Sequence, residues 1–190
     1  FVDPLCGSGT LAIEAALIGQ NIAPGFNREF ACEAWDWMPK SVFEKARLEA
    51  EEAANYDQVL NIKGRDIDHQ MIKVATQNAI EAGLGDIIDF KQMQVRDFSD
   101  DAEAYGVIAT NPPYGERLSD EPGIIEIYRD MGASFKQLTN WSFYVLTSYE
   151  DFEIAFGKRA TKKRKLYNGF LRTDYYQFWG PRPKRPQRDA

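Results

Sequence analysis

Histidine and cysteine are nearly missing from this chain: His69 stands alone, and Cys6 and Cys32 are the only thiols in 190 residues. A Ser-His-Asp enzyme or a multi-His zinc site has too little to work with, so no metal is expected. Two thiols cannot build a disulfide scaffold, and they suit a reducing compartment. No apolar run approaches the ~20 residues that a bilayer requires, so no membrane partner is expected either. The chain opens at Phe1 without a basic-then-apolar leader, and the expectation is a cytoplasmic protein.

What is present is ordinary globular material, 44% hydrophobic and 27% charged. A chain of this length buries roughly 70% of its unfolded surface. One domain is expected over residues 1–180, with no internal repeat. Residues 181–190 hold three prolines and four basic side chains and read as a basic flexible tail. Charge divides sharply along the chain. Residues 1–157 carry 12 Lys/Arg against 27 Asp/Glu, a sum of -15, whereas 158–190 carry 11 against 2, a sum of +9. A basic end on an acidic body suits a polyanion, because each phosphate contact releases counterion. Lys162, Lys163, Arg164, Lys165 and Arg172 are the candidate phosphate contacts. A merely solvated end is the alternative.

The coarse pattern alternates strands with helices. Residues 1–3 end a buried strand, and Leu11 to Ile18 form a helix apolar almost all round that stops at Gly19. Asn21 to Pro39 is irregular, and Lys40 to Tyr56 is helical by the spacing of Phe43, Ala46, Ala50 and Ala53. Val59 leads into a second strand ending near Asp66. A helix bearing Ile72, Ala75, Ala79 and Ala82 follows and ends at Gly83. Ile87 to Met93, Gly106 to Thr110 and Ser142 to Thr147 are further strands, and a helix with Ile124, Tyr128, Met131, Phe135 and Leu138 precedes the last of these. Such alternation implies a parallel sheet covered on both faces. Asn168-Gly169, between Arg164 to Tyr167 and Phe170 to Trp179, signals a two-residue hairpin, so the sheet should finish antiparallel.

Two segments carry chemistry. Asp3-Pro-Leu-Cys-Gly-Ser-Gly-Thr10 sits where a strand hands over to a helix, the place where doubly wound sheets bind nucleotides. Gly7 and Gly9 let the backbone approach a ligand, and the helix opening at Thr10 favours a carboxylate or phosphate. Cys6 and Ser8 complete the turn. The segment lacks the Gly-Lys-Ser/Thr of a P-loop and the third glycine of a dinucleotide fingerprint, and Asp3 would repel a pyrophosphate. An ammonium-bearing ligand fits better. S-adenosylmethionine has an ammonium, a carboxylate and no phosphate. A tight structural turn is the plain alternative. Asp66, at the end of the second strand, is placed to accept ribose hydroxyls, with Ile67 beneath an adenine. Asp68 instead suits a helix cap. Asp97 and Phe98 offer a carboxylate and an aromatic wall to the adenine, or simply a loop acid.

Asn111-Pro112-Pro113-Tyr114 follows the fourth strand. Two prolines remove backbone donors and stiffen the chain, leaving the Asn111 side-chain oxygen and the Pro112 carbonyl as fixed acceptors. Acceptors without donors suit an NH2 group. Holding both its N–H bonds turns the nitrogen lone pair toward a methyl donor, which is catalysis by orientation. Tyr114 would stack on a planar substrate.

These motifs together resemble class I S-adenosylmethionine-dependent methyltransferases that act on amino groups. Their wording is similar to the guanine-N2 methyltransferases of 23S ribosomal RNA, which carry an upstream THUMP domain. Asn21-Ile-Ala-Pro-Gly25, Phe30-Ala-Cys-Glu33 with Trp35, Gly64-Arg-Asp-Ile-Asp68, Asn111 to Leu118 and Lys165-Leu-Tyr-Asn-Gly169 share the resemblance. It implies a Rossmann-like α/β fold with a mainly parallel seven-stranded sheet, a C-terminal antiparallel hairpin and helices on both faces. It implies S-adenosylmethionine as cofactor, S-adenosylhomocysteine as product and ribosomal RNA as partner. Asp3, Gly7, Gly9, Asp66 and Asp97 would line the cofactor site, and Asn111 to Tyr114 the transfer site. No THUMP domain is read here and the first strand is a stub, as in a fragment of a longer protein. Adenine-N6 methylation of DNA uses the same four-residue motif. Glutamine-amide methylation and a non-catalytic binding module are the other readings.

Overall fold

The computed structural model describes residues 1–114 and 121–183. Residues 115–118, at the end of the second motif, and 184–190 of the expected tail lie outside the described residues. The strands are β1 (Val2–Asp3), β2 (Ile62–Asp66), β3 (Ile88–Gln92), β4 (Gly106–Thr110), β5 (Trp141–Thr147), β6 (Lys162–Asn168) and β7 (Leu171–Phe178). The α-helices are α1 (Thr10–Gly19), α2 (Lys40–Ala53), α3 (His69–Glu81), α4 (Glu121–Phe135) and α5 (Phe152–Phe156). One seven-stranded sheet has the order β3-β2-β1-β4-β5-β7-β6. The first five strands in that order pair in parallel, and β7 is antiparallel to both β5 and β6. The order reverses between β1 and β4, which opens a crevice at their C-terminal ends where ligands of such sheets bind.

Two cores lie on opposite faces. On one, α1 and α3 bury Ala12, Ala16 and Ala79 against Ile62 and Ile88. On the other, Tyr128, Met131 and Phe135 of α4 and Phe152 and Phe156 of α5 pack on Ile108, Phe143, Val145, Tyr176 and Phe178. Helices thus lie on both faces of the sheet, as the alternation suggests, each pair over a different half. Strand β5 alternates strictly: Trp141, Phe143, Val145 and Thr147 are buried, while Ser142, Tyr144 and Leu146 are half-exposed. Continuous apolar strands mark two-sided burial, and alternation marks one.

Three differences have local causes. The expected all-round burial of α1 is not found: Ala12 and Ala16, one turn apart, are fully buried, Ile13, Ala15 and Leu17 are partly so, and Ile18 is 77% exposed. The chain also leaves α1 through Asn21, whose φ is 54°, with Gly19 still helical. The terminal hairpin turns one residue later than its Asn-Gly signal, since Asn168 pairs with Leu171 and Gly169-Phe170 form the loop. Gly169 holds a φ of 61° at the first central position, the place a type II′ turn reserves for glycine. Finally, α5 is too short for its period to show in sequence.

α4 and α5 cross at Gly132, where a Cβ would lie 2.0 Å from the Phe156 carbonyl oxygen. Backbone cannot yield there as a flexible side chain could. Gly132→Ala should cost ~1–3 kcal/mol. At ~2–4 °C per kcal/mol for a domain of this size, calorimetry should read a fall of several degrees in Tm.

Candidate active site

The site grows from the end of β1. Gly7 and Gly9 adopt φ of 50° and 86°, so the chain reverses tightly between β1 and α1. A Cβ on Gly9 would meet Ala75 and Phe90 at 3.0 Å, whereas one on Gly7 would meet nothing within 4 Å. Gly9 therefore packs inward, and Gly7 faces open space where a ligand can approach. Internal bonds hold the turn: the Gly9 N–H donates to the Cys6 carbonyl at 2.8 Å, and the Asn78 amide of α3 donates to the Ser8 carbonyl at 2.9 Å. No acid stands in the first turn of α1, so the free N–H groups beside Thr10 keep their attraction for an anion. Cys6 is buried, with its Sγ beside the backbone of Gly64 in β2. Burial pushes its thiol up to about 12, so it fills space and is not a nucleophile.

Asp3 is 2% exposed, and its Oδ1 accepts from the Thr110 hydroxyl at 2.7 Å and from the Leu5 N–H at 3.2 Å. Loss of solvent outweighs these bonds and pushes the carboxyl up to about 7, with Asp66 adding repulsion. A cation placed beside Asp3 would relieve that cost. Asp66 holds the turn from the neighbouring strand, Oδ2 accepting from the Gly7 N–H and Oδ1 from the Asp68 N–H, both at 2.9 Å. Each oxygen keeps a lone pair for a further donor. Asp68 is the cap of α3, accepting from the Gln70 N–H at 2.7 Å. Ile67 beside it is exposed.

Asn111 to Tyr114 continue directly from Thr110, so the Asp3 bond ties the glycine turn to the Asn-Pro-Pro-Tyr segment. Asn111 is exposed and Pro112 buried, with Pro113 and Tyr114 half-buried. Tyr128, wholly buried in α4, supports them: its hydroxyl bonds Thr147 Oγ1 at 2.7 Å and donates to the Pro113 carbonyl at 3.4 Å. Thr110, Tyr128, Thr147 and Asn78 thus position the site without any motif naming them. The hydroxyl of Tyr128 in the otherwise non-polar stripe of α4 is the one sequence signal that pointed there.

Asp97 is exposed at the end of a short 3-10 turn, Val95–Asp97. Phe98 does not form the expected aromatic wall. It is 4% exposed and packs edge-on against Phe135 in the core, because its backbone follows that turn inward. On the outer strand β6, Lys162, Lys163, Arg164 and Lys165 are exposed in consecutive positions. Arg172, expected among the phosphate contacts, pairs with Glu150 at 3.5 Å and Asp174 at 3.3 Å and stays half-exposed. Lys163 reaches Asp174 at 3.8 Å. A cavity of about 770 Å³ lies at the opposite end of the sheet, between Lys136, Trp141, Lys158 and Trp179, away from this site. No cluster of potential metal ligands occurs among the described residues.

Residues 1–177 match the model of the RMKL-like methyltransferase domain, UPF0020. The chain belongs to this family. It is 62% identical over 188 residues to the "Putative RNA methyltransferase YpsC" of Bacillus subtilis (strain 168), covering 99% of this chain and 48% of that protein. It is 37% identical over 176 residues to the "Ribosomal RNA large subunit methyltransferase K/L" of Shewanella amazonensis, covering 90% and 25%. Among solved structures, SMU.472, "a putative methyltransferase complexed with SAH", superposes with a TM-score of 0.91 at 52% identity, covering 97% of this chain and 48% of that one. The methyltransferase domain described here spans about half the length of the first of these relatives and of SMU.472. Its sheet, mostly parallel with antiparallel C-terminal strands, is that of these neighbours.

Because the folded Asp3 carboxyl titrates near 7 rather than 3.8, the native state keeps a proton that the unfolded chain has released. The contribution of Asp3 to stability is therefore fully present below pH ~4, is lost as pH rises to ~7 and then levels, up to ~4 kcal/mol for a shift of this size. Asp3→Asn keeps an acceptor for Thr110 and should flatten that part of the profile. Urea unfolding at pH 5 and pH 8 of both proteins measures the difference.

Proposed function

We propose that this domain transfers a methyl group from S-adenosylmethionine to the exocyclic N2 amine of a guanine in ribosomal RNA. The observation that carries the reading is the Asn111-Pro112-Pro113-Tyr114 segment, braced by Tyr128 at the end of β4 and bonded through Thr110 to the glycine turn. The residues fit the cofactor: a buried carboxyl at Asp3 whose ionised form the ammonium would stabilise, the open N-terminus of α1 for its carboxylate, spare lone pairs on Asp66 for the ribose, and exposed Ile67 for the adenine. The SMU.472 structure holds S-adenosylhomocysteine on the same fold. The ribosomal RNA assignment follows the curated K/L relatives, and the basic strand β6 agrees with it.

When bound, S-adenosylmethionine supplies an electrophilic methyl on sulfur and leaves as S-adenosylhomocysteine. The chain's part is to orient. Asn111 Oδ1 and the Pro112 carbonyl accept the two amine N–H bonds, so the nitrogen lone pair points along the line of transfer. Positive charge develops on nitrogen as the N–C bond forms and the C–S bond breaks, and the same two oxygens stabilise it before a proton passes to solvent. Tyr114 stacks on the base. No strong base is needed.

Asn111→Ala should leave cofactor affinity nearly intact while cutting the single-turnover rate by ~100-fold, as loss of one preorganised acceptor typically does. Asp66→Ala should do the reverse, weakening cofactor binding at least ~10-fold by removing charge-assisted bonds. Calorimetry and rapid-quench assays on unmethylated ribosomal RNA separate the two. Equal rates for Asn111→Ala and parent would remove the catalytic assignment. Nucleoside analysis of the product should give N2-methylguanosine. N6-methyladenosine would keep the mechanism and change the substrate, in line with a Listeria monocytogenes structure, 64% identical, described as a "predicted N6-adenine-specific DNA methylase".

Replacing Lys162, Arg164 and Lys165 by Ala should weaken RNA binding for all sequences alike. The log-log salt slope should become shallower by ~0.7–0.9 per lost contact. Filter binding between 50 and 200 mM salt reads this out.

A further inference from the structure

The loop of the β6–β7 hairpin holds a side chain that the fold does not use. Phe170 is fully exposed at 107%, and Tyr167, Leu166 and Leu171 beside it are exposed at 66%, 44% and 44%. Turn chemistry accounts for Gly169, whose φ is 61°, but the second central position of such a turn is ordinarily filled by a small or polar residue. Single exposed apolar residues need no explanation, whereas four around one tip form a surface. The tip is also firmly aimed, since the pairing of β6 with β7 runs unbroken from Lys162↔Gln177 to Asn168↔Leu171.

Its position is functional. Thr147, the last residue of β5, pairs with Asp174, so the hairpin continues past the end of β5 on the side where Asp3, Asp66 and Asn111 gather. Three residues from Asp174 to Leu171, at ~3.3 Å each, carry the tip roughly 10 Å beyond that edge. Two strands, β5 and β7, separate β4 from β6, a lateral offset of roughly 14 Å at ~4.8 Å per strand. The tip therefore stands above and to one side of the transfer site, roughly 17 Å from it by these two offsets. The strand that leads to it carries Lys162, Lys163, Arg164 and Lys165, and because side chains alternate, both of its faces are basic. A protein segment covering the apolar tip would have no use for charge on both faces. A nucleic-acid strand would.

We propose that the hairpin tip engages RNA next to the target nucleotide, with Phe170 inserting into the base stack and holding the space that the target base vacates when it swings to Asn111. Apolar wedges of this kind lower the cost of unstacking, and an enzyme acting on a base amine inside folded RNA must first extrude that base. Phe170 is a positioning residue, since it touches the neighbours of the reacting base. The inference rests on the RNA-methyltransferase reading above.

The test uses the full chain with S-adenosylhomocysteine and a 20-base-pair RNA duplex carrying one central 2-aminopurine, whose fluorescence rises on unstacking. The parent should raise the signal. Phe170→Ala should abolish most of the rise while weakening duplex binding less than threefold, and Phe170→Trp should restore it. On unmethylated ribosomal RNA, Phe170→Ala should lower single-turnover kcat at least tenfold with little change in KM, its circular dichroism and cofactor affinity unchanged. A parent-like rise in Phe170→Ala, or no rise in a parent that binds the duplex, overturns the wedge and leaves the RNA reading standing. A parent that binds neither the duplex nor ribosomal RNA overturns both.

Discussion

A single buried hydrogen bond, from the Thr110 hydroxyl to Asp3, joins the two halves of the site across 107 residues of sequence. Both candidate motifs adjoin it. Asp3 opens the glycine turn, and Thr110 is the last strand residue before Asn111. The partners occupy β1 and β4, the neighbours between which the strand order reverses, so the bond spans the crevice the topology creates. The two side chains pair where neither alone could afford burial. The raised proton affinity of Asp3 shows that the compensation is incomplete without a cation nearby.

The elements that were legible in the sequence are those whose pattern has one physical cause. Strand β4 matches its expected limits because β-branched and small residues end at Asn111-Pro112, where proline forbids continuation. Helix α3 ends before Gly83, with φ of 76°, and starts at the Asp68 cap. Where two causes compete, sequence misleads. Asn168-Gly169 carries an Asn that would accept a left-handed φ, but pairing with Leu171 keeps it in the strand and the turn passes to Gly169-Phe170. Phe98 follows a strand as a ligand-facing aromatic would, yet the core gains more from its ring than an open surface does. The site itself was legible as two motifs. Their supports were not, because Tyr128, Thr110 and Asn78 act through contacts between elements far apart in the chain.

Asp66 shows how a residue expected in one role takes on another. Its carboxylate closes the glycine turn by accepting from Gly7, so the group expected to receive a ribose is also what shapes the pocket receiving the rest of the ligand. Arg172, an expected phosphate contact, also pairs with Glu150 and Asp174, so one exposed cation serves the fold as well.

Helix α4 is pinned over its C-terminal half: Tyr128 to the Pro113 carbonyl and Thr147, Gly132 against the Phe156 backbone, and Ser134 Oγ to the Val95 carbonyl at 2.7 Å. A helix clamped at three levels cannot slide or rotate without breaking its neighbours apart. The acceptors at the end of β4 are accordingly presented by something closer to an anvil than a hinge. On the proposed function, the travelling falls to the nucleotide.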